Sequence, residues 1–140
     1  MGLDIHARIV TKSSIEMEKQ YKNENWPKVQ SGEMRLDEYY YHFPVNKTFR
    51  SIDVSEYGIR NFWGLRKYFI ETMGLVEEDS CFYLDLNEIK TLSLGVHYRE
   101  IPNIDNYSYD QKCEDVLKIC ARALKECNFE TEIVEFFFCA

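Results

Sequence analysis

The spacing of apolar residues changes along this chain, and that change restricts its fold more than any other feature. Residues 3–10 alternate apolar and polar side chains, which is the period of a strand with one buried face. Between residues 108 and 127 the apolar residues recur every three or four positions, as on the buried stripe of a helix. The chain must therefore bury a sheet face and a helix stripe in the same core.

Three further segments follow one period or the other. Residues 59–73 carry a second helical stripe with Gly74 as its C-terminal cap, which predicts a second main helix. Residues 36–43 are rich in aromatic side chains and residues 49–54 alternate, which predicts two strands joined by a turn at 44–47.

The remaining segments are shorter or more polar. Residues 13–33 contain Trp26-Pro27 and few apolar side chains, so we expect a loop with at most a short helical turn near 15–22. Cys81–Leu84 is a short apolar strand, and an acidic turn precedes it. Residues 130–139 end the chain with three consecutive phenylalanines, which predicts a strand buried on both faces.

Two capping-box spacings mark where helices begin. Asp85 and Glu88 predict a short helix over 86–94 that ends at Gly95, and Ser108 and Gln111 predict the start of the long helix. A chain of 140 residues without repeat or linker is one domain, residues 1–140. We therefore predict an α+β fold in which a mostly antiparallel sheet packs against two main helices, at about 59–73 and 108–127.

Charge restricts the partners. The net charge is −7, and the last 70 residues hold 15 acidic and 6 basic side chains, against 9 and 11 in the first 70. Such a surface repels phosphate backbones and attracts basic surfaces. We expect no direct binding of nucleic acid and, where there is a partner, a basic protein.

The sequence carries no motif for a metal, a cofactor or a membrane. The cysteines Cys113, Cys120 and Cys127 are seven residues apart on one helical stripe, too far to share an ion. The glycines form no phosphate-binding loop. No apolar run approaches a bilayer span and the start lacks a signal peptide, so we expect a cytoplasmic protein with its cysteines as thiols.

Six residues are candidates for binding. Asp4, His6 and Arg8 share one face of the first strand and could act in acid–base chemistry or in phosphate binding. Any half-exposed strand has such a polar face, so the alternative is a face that simply meets water. Tyrosines of the run 39–43 could anchor a partner or fill the core. The candidate binding residues are Asp4, His6, Arg8, Tyr40, His42 and Arg60, and no residue is assigned as catalytic.

The first five residues, Met-Gly-Leu-Asp-Ile, resemble the start of a loose group of small bacteriophage and mobile-element proteins of unknown function. Residues 57–69 are similar to an aromatic–arginine segment that opens an amphipathic helix in that group. His6 departs from the group, which has an aromatic or apolar residue there, and the aromatic residues around Arg60 are shifted. The resemblance implies a phage or mobile-element setting and transfers no functional residue.

We expect a small acidic binding protein, such as a phage counter-defence or immunity protein that masks a basic protein partner, rather than an enzyme. The first alternative is a small-ligand or nucleotide-acting domain that uses the polar face around Asp4, His6 and Arg8. The second is a homo-oligomeric scaffold, for example a homodimer that joins through the apolar ending 136–140.

Overall fold

A computed structural model describes residues 2–44, 49–105 and 107–140. Within these ranges, five strands form one antiparallel sheet and five α-helices accompany it, so the predicted α+β class is confirmed. None of the described helices is both long and apolar enough to span a membrane. In chain order the elements are β1 (Asp4–Thr11), α1 (Lys12–Gln30), α2 (Leu36–Tyr41), β2 (Phe49–Ser51), β3 (Ile59–Arg60), α3 (Trp63–Lys67), β4 (Cys81–Leu84), α4 (Leu86–His97), α5 (Tyr109–Glu126) and β5 (Glu132–Cys139).

The first and last strands form the centre of the sheet. β1 and β5 pair antiparallel over their whole lengths, from Asp4 opposite Cys139 to Thr11 opposite Glu132. β4 lies on the outer side of β5, whereas β2 and β3 both pair with the other edge of β1. The predicted strands at 3–10, 81–84 and 130–139 are therefore confirmed, and the strand predicted over 49–54 is shorter.

One face of this sheet forms the core. It presents Ile5 and Ala7 of β1 beside Phe138 and Phe136 of β5, and all four are buried. The ring of Phe69 packs within 6 Å of three phenylalanine rings of the sheet, Phe82, Phe136 and Phe138. Burial of each such ring is worth roughly 1.5–3 kcal/mol. Two residues of the apolar ending that suggested a homodimer are thus core residues of this chain.

Helix α5 closes the core, and its predicted stripe is confirmed except at its end, where Leu124 is exposed and Cys127 is half-buried. Cys113, Val116, Cys120 and Ala123 are buried, and burial raises the pKa of Cys120 to about 12. The predicted capping box is wrong, because Ser108 has a left-handed backbone (φ 53°) and its side chain caps nothing. Cys139, the last residue of the strand predicted to be buried on both faces, is exposed.

The loop predicted for residues 13–33 is wrong, because this segment forms the 19-residue helix α1. Its middle, Glu-Met-Glu-Lys-Gln-Tyr-Lys, consists mostly of strong helix formers. Thr11 caps the start by accepting a hydrogen bond from the Ser14 amide at 3.3 Å. Pro27 does not end the helix, which continues to Gln30.

The strand predicted over 36–43 is also wrong, because residues 36–41 form helix α2. Leu36, Tyr39, Tyr40 and Phe43 have helical spacing as well as strand composition, and only Tyr39 among them is fully buried. Asp37 and Glu38 lie in the first turn, where carboxylates stabilise a helix. The turn predicted at 44–47 falls mostly on residues 45–48, which lie outside the described ranges.

The single helix predicted over 59–73 is wrong in its first third. Ile59 and Arg60 form β3 instead, and α3 begins only at Trp63 and continues into a π-helical turn, Tyr68–Thr72. Asn61 separates strand from helix with a left-handed backbone (φ 55°). Its side-chain oxygen accepts the Leu3 amide at 2.9 Å, and its backbone oxygen accepts the ammonium of the buried Lys112 at 2.8 Å.

Helix α4 begins as predicted but ends later. Asp85 and Glu88 form the expected capping box, whereas Gly95 lies inside the helix and is buried. A Cβ atom at residue 95 would overlap the hydroxyl of Tyr68. This glycine therefore permits the close approach of the π-helical turn and does not stop the helix.

We predict that Gly95→Ala destabilises the protein by about 1–3 kcal/mol, although Ala is favoured over Gly in most helices. Tyr68→Phe should recover part of this loss, because it removes the overlapping hydroxyl. Urea unfolding of both single variants and the double variant measures the coupling. Leu94→Ala, at an exposed site of the same helix, is the control, and an unchanged or raised stability of Gly95→Ala would contradict the packing described.

Candidate functional site

The polar row predicted on β1 exists, but its members face different partners. Asp4, His6 and Arg8 alternate with the buried residues and are each partly exposed. Their partners lie on three separate segments of the chain, namely β3, the loop that follows β2, and β5. The row is therefore three side-by-side pairs and not a convergent group.

His6 and Asp53 form the first pair. The imidazole Nδ1 lies 2.8 Å from Asp53 Oδ2, and Asp53 Oδ1 accepts the Ala7 amide at 2.7 Å. Gly58 (φ 70°) passes so close that a Cβ atom there would overlap the Ile5 carbonyl and contact His6 Nδ1 at 2.9 Å. These contacts fix the loop between β2 and β3 to β1.

Arg8 and Glu135 form the second pair, across the central ladder. Glu135 is fully buried, and Arg8 Nε donates to its Oε1 at 2.5 Å. The Arg8 guanidinium also lies 4.7 Å from the ring centroid of Phe49. Burial, reinforced by the neighbouring Glu135 carboxylate, raises the pKa of Tyr83 on β4. Arg8, Glu135 and Tyr83 lie side by side on one face of the sheet, and Tyr83 lines a cavity together with Glu18 of α1, so this pair belongs to a polar layer beneath α1.

Asp4 and Arg60 form the third pair, the only one that joins two of the candidate residues within the described ranges. Arg60 Nε lies 3.0 Å from Asp4 Oδ1, but this oxygen accepts no aligned hydrogen bond. Both side chains are substantially exposed, so the contact is a surface ion pair worth about 0–1 kcal/mol. Arg60 lies on β3 and not on the helix predicted for it.

The other two candidates lie on the α2 side of the molecule. Tyr40 is exposed, and the ring centroid of His42 lies 5.0 Å from that of Tyr41. Among the described contacts, none joins His42 to Asp4, His6 or Arg8, so these candidates do not form one site.

Two neighbouring cavities lie between α1, α2 and the turn before β4. The first, of about 250 Å³, runs between α1 and the outer strand β4 and includes Ile15, Glu18, Cys81 and Tyr83 in its lining. The second, of about 380 Å³, continues from it towards α2, and we call it the aromatic groove. The residues that line the aromatic groove are Lys22, Trp26, Tyr39, Tyr40, Phe43 and Asp79.

Aromatic rings build most of this groove around the buried Tyr39. Its ring centroid lies 5.4 Å from that of Trp26, 5.2 Å from Tyr40 and 5.8 Å from Phe43. The Tyr21 hydroxyl donates to the Tyr39 carbonyl at 2.8 Å, which joins α1 to α2. Burial raises the pKa of the Tyr39 hydroxyl. The three ring pairs are edge-to-face contacts, an arrangement that stabilises the lining of the groove.

Two ion pairs connect α1 with the acidic turn at residues 77–79, beside the groove. Lys22 Nζ lies 3.1 Å from Asp79 Oδ2, and Lys19 Nζ lies 3.3 Å from Glu78 Oε2. Asp79 and Ser80 both have left-handed backbones (φ 49° and 66°), which turn the chain sharply into β4. A cation is thus already held at the mouth of the groove by a carboxylate.

The sequence interpretation missed Lys22, Trp26 and Asp79 as site residues. Lys22 and Trp26 are four residues apart and share a helix face, which helical numbering of α1 would have revealed. Asp79 reaches them only through the tertiary fold. Over the described residues, no group of three or more His, Cys, Asp or Glu side chains is placed to hold a metal ion.

Comparison with protein-family models, with curated proteins and with solved structures finds no match to this chain.

We predict that Arg8→Met costs about 3–5 kcal/mol of stability, because it leaves the Glu135 carboxylate buried without its counter-charge. Adding Glu135→Gln should recover at least half of the loss, since the amide remains polar but uncharged. Urea unfolding measures both changes. Arg60→Met, which removes the exposed pair with Asp4, is the matched control and should cost less than about 1 kcal/mol. Equal losses for Arg8→Met and Arg60→Met would contradict the distinction.

Proposed function

We propose that this chain is a binding protein that covers part of a basic protein partner, in the manner of a phage counter-defence factor or an immunity protein. The observation that carries the proposal is the surface of α2. Tyr40 and Tyr41 are 62% and 83% exposed on this six-residue helix. The carboxylates of Asp37 and Glu38 lie in its first turn and share an exposed ion pair with Arg35, at 3.3 Å each. Exposed tyrosines beside acidic groups fit a binding surface for a basic protein.

The charge of the whole chain supports the same proposal. A net charge of −7 raises the rate of encounter with a basic target, such as a nuclease, and lowers it for nucleic acid itself. Tyrosine anchors give contact area at low cost in side-chain entropy. Charge would therefore steer the encounter, and the α2 tyrosines would hold the complex.

The alternative of a ligand-acting domain around Asp4, His6 and Arg8 loses its main argument. Each of these side chains has its own partner in a different segment, and these contacts fix strands and a loop. Catalysis or phosphate binding would need the groups to converge on one ligand. We therefore assign the polar row to stability and place the binding surface on α2.

The test begins with capture of partners from a lysate of the source cells on the tagged protein at low salt. Affinity for the purified partner is then measured by calorimetry. We expect Tyr40→Ala/Tyr41→Ala to weaken binding at least tenfold, because truncated anchor residues typically cost more than about 1 kcal/mol each. The matched control is Tyr57→Ala/Tyr98→Ala, which removes two tyrosines of similar exposure, 70% and 69%, away from α2.

Two outcomes would reject the proposal. One is the absence of any stoichiometric partner at low salt, and the other is equal loss of affinity in the α2 variant and the control variant. High salt should lower the affinity of the wild type, because exposed charges are screened. A chain that sediments as a dimer, with α2 covered in it, would favour the scaffold alternative.

A further inference from the structure

We infer that the aromatic groove receives a basic side chain of the partner, with an arginine as the best fit. The incoming cation would lie against the faces of Trp26, Tyr39 and Tyr40 and pair with the Asp79 carboxylate at the mouth. This inference rests on the proposed function and makes it specific, because it assigns one residue type to one cavity.

The aromatic lining supplies the first argument. Four of the six lining residues are aromatic, and their ring faces carry the negative side of a quadrupole, which attracts cations. Tyr39 forms the buried base and the exposed Tyr40 forms the rim. A long side chain with an apolar stem and a charged head can lay its stem on the rings while its head reaches the mouth.

The charge at the mouth supplies the second argument. Asp79 lines the groove, and its side chain is 80% exposed there. Its neighbours Glu77 and Glu78 pair with Arg66 and Lys19, so Asp79 is the carboxylate that an incoming cation would meet. A guanidinium can stack on an aromatic face and donate to a carboxylate at the same time, which an ammonium does less well. A phosphate or a nucleotide would be repelled by the same Asp79 carboxylate.

Lys22 supplies the third argument, because it is an internal stand-in for the ligand. Its ammonium lines the groove, 3.1 Å from Asp79 Oδ2. The chain thus places its own cation where the partner's cation would lie. About half of the Lys22 side chain is exposed and the pair is at the surface, so an incoming cation can displace it at low cost.

Lys22 distinguishes specific binding of a cation in the groove from nonspecific adsorption to an aromatic surface. Lys22 competes with the incoming cation for Asp79 and repels it. Lys22→Met keeps an apolar stem of similar length but frees the carboxylate. Binding of a cation should therefore become tighter when this basic residue is removed and weaker when Asp79 is neutralised.

The experiment uses the full chain labelled with 5-fluorotryptophan, whose two indoles, Trp26 and Trp63, give separate fluorine NMR signals. A Trp63→Phe variant assigns them. The probe is N-acetyl-arginine methylamide, and its uncharged counterpart, N-acetyl-citrulline methylamide, is the matched control. We expect the arginine probe to shift the Trp26 signal with a dissociation constant in the millimolar range, while the Trp63 signal and the citrulline titration show no saturable change.

Three variants test the mechanism. Lys22→Met should tighten binding of the arginine probe at least threefold, Asp79→Asn should weaken it at least threefold, and Tyr98→Ala should leave it unchanged. Each variant is first shown by thermal unfolding to be folded. No saturable shift of Trp26, an equal response to citrulline, or binding weakened by Lys22→Met would overturn the inference.

The outcome is separable from that of the proposed function, because the probe needs no partner protein. Capture of a partner through the α2 tyrosines without any response of Trp26 to arginine would reject the groove and leave the binding function standing. A saturable arginine response in a chain that captures no partner would support the groove and reject the proposed function.

Discussion

The eight-residue pairing of β1 with β5 is the constraint on which the rest of the molecule depends. It joins the two ends of the chain in the middle of the sheet, so every element between them must pack around this ladder. Its register places Ile5 opposite Phe138 and Ala7 opposite Phe136 on one face. A shift by one residue would move all of these side chains to the other face and leave the core without its aromatic layer.

The same register makes one face of the sheet apolar and the other polar. One face packs phenylalanines against α4, α5 and the π-helical turn, which accounts for most of the buried apolar residues. The other face carries Arg8, Glu135 and Tyr83 and lies beneath α1, so its polar groups must satisfy one another. This requirement explains why a row that looked reactive in the sequence is a set of structural pairs.

How far the sequence predicts this fold depends on which interactions decide each element. β1, β4, β5 and α5 have strong apolar periods and were predicted, as was the Asp85–Glu88 capping box, which is a local interaction. α1 was missed because it packs on the polar face and has only a weak apolar stripe. The candidate site was predicted only at Tyr40, because Lys22, Trp26 and Asp79 meet through contacts between distant segments.

The unequal packing of the two faces divides the molecule into layers of different local stability. Of the 25 residues in α1 and α2, three are buried, namely Ser14, Ile15 and Tyr39. A layer with so little buried area opens at a lower free energy than the aromatic core, so its amide protons should exchange with solvent before those of α5 and β5. Whatever occupies the groove would then hold this layer closed, and slower exchange confined to α1 and α2 would be the signature of an occupied site.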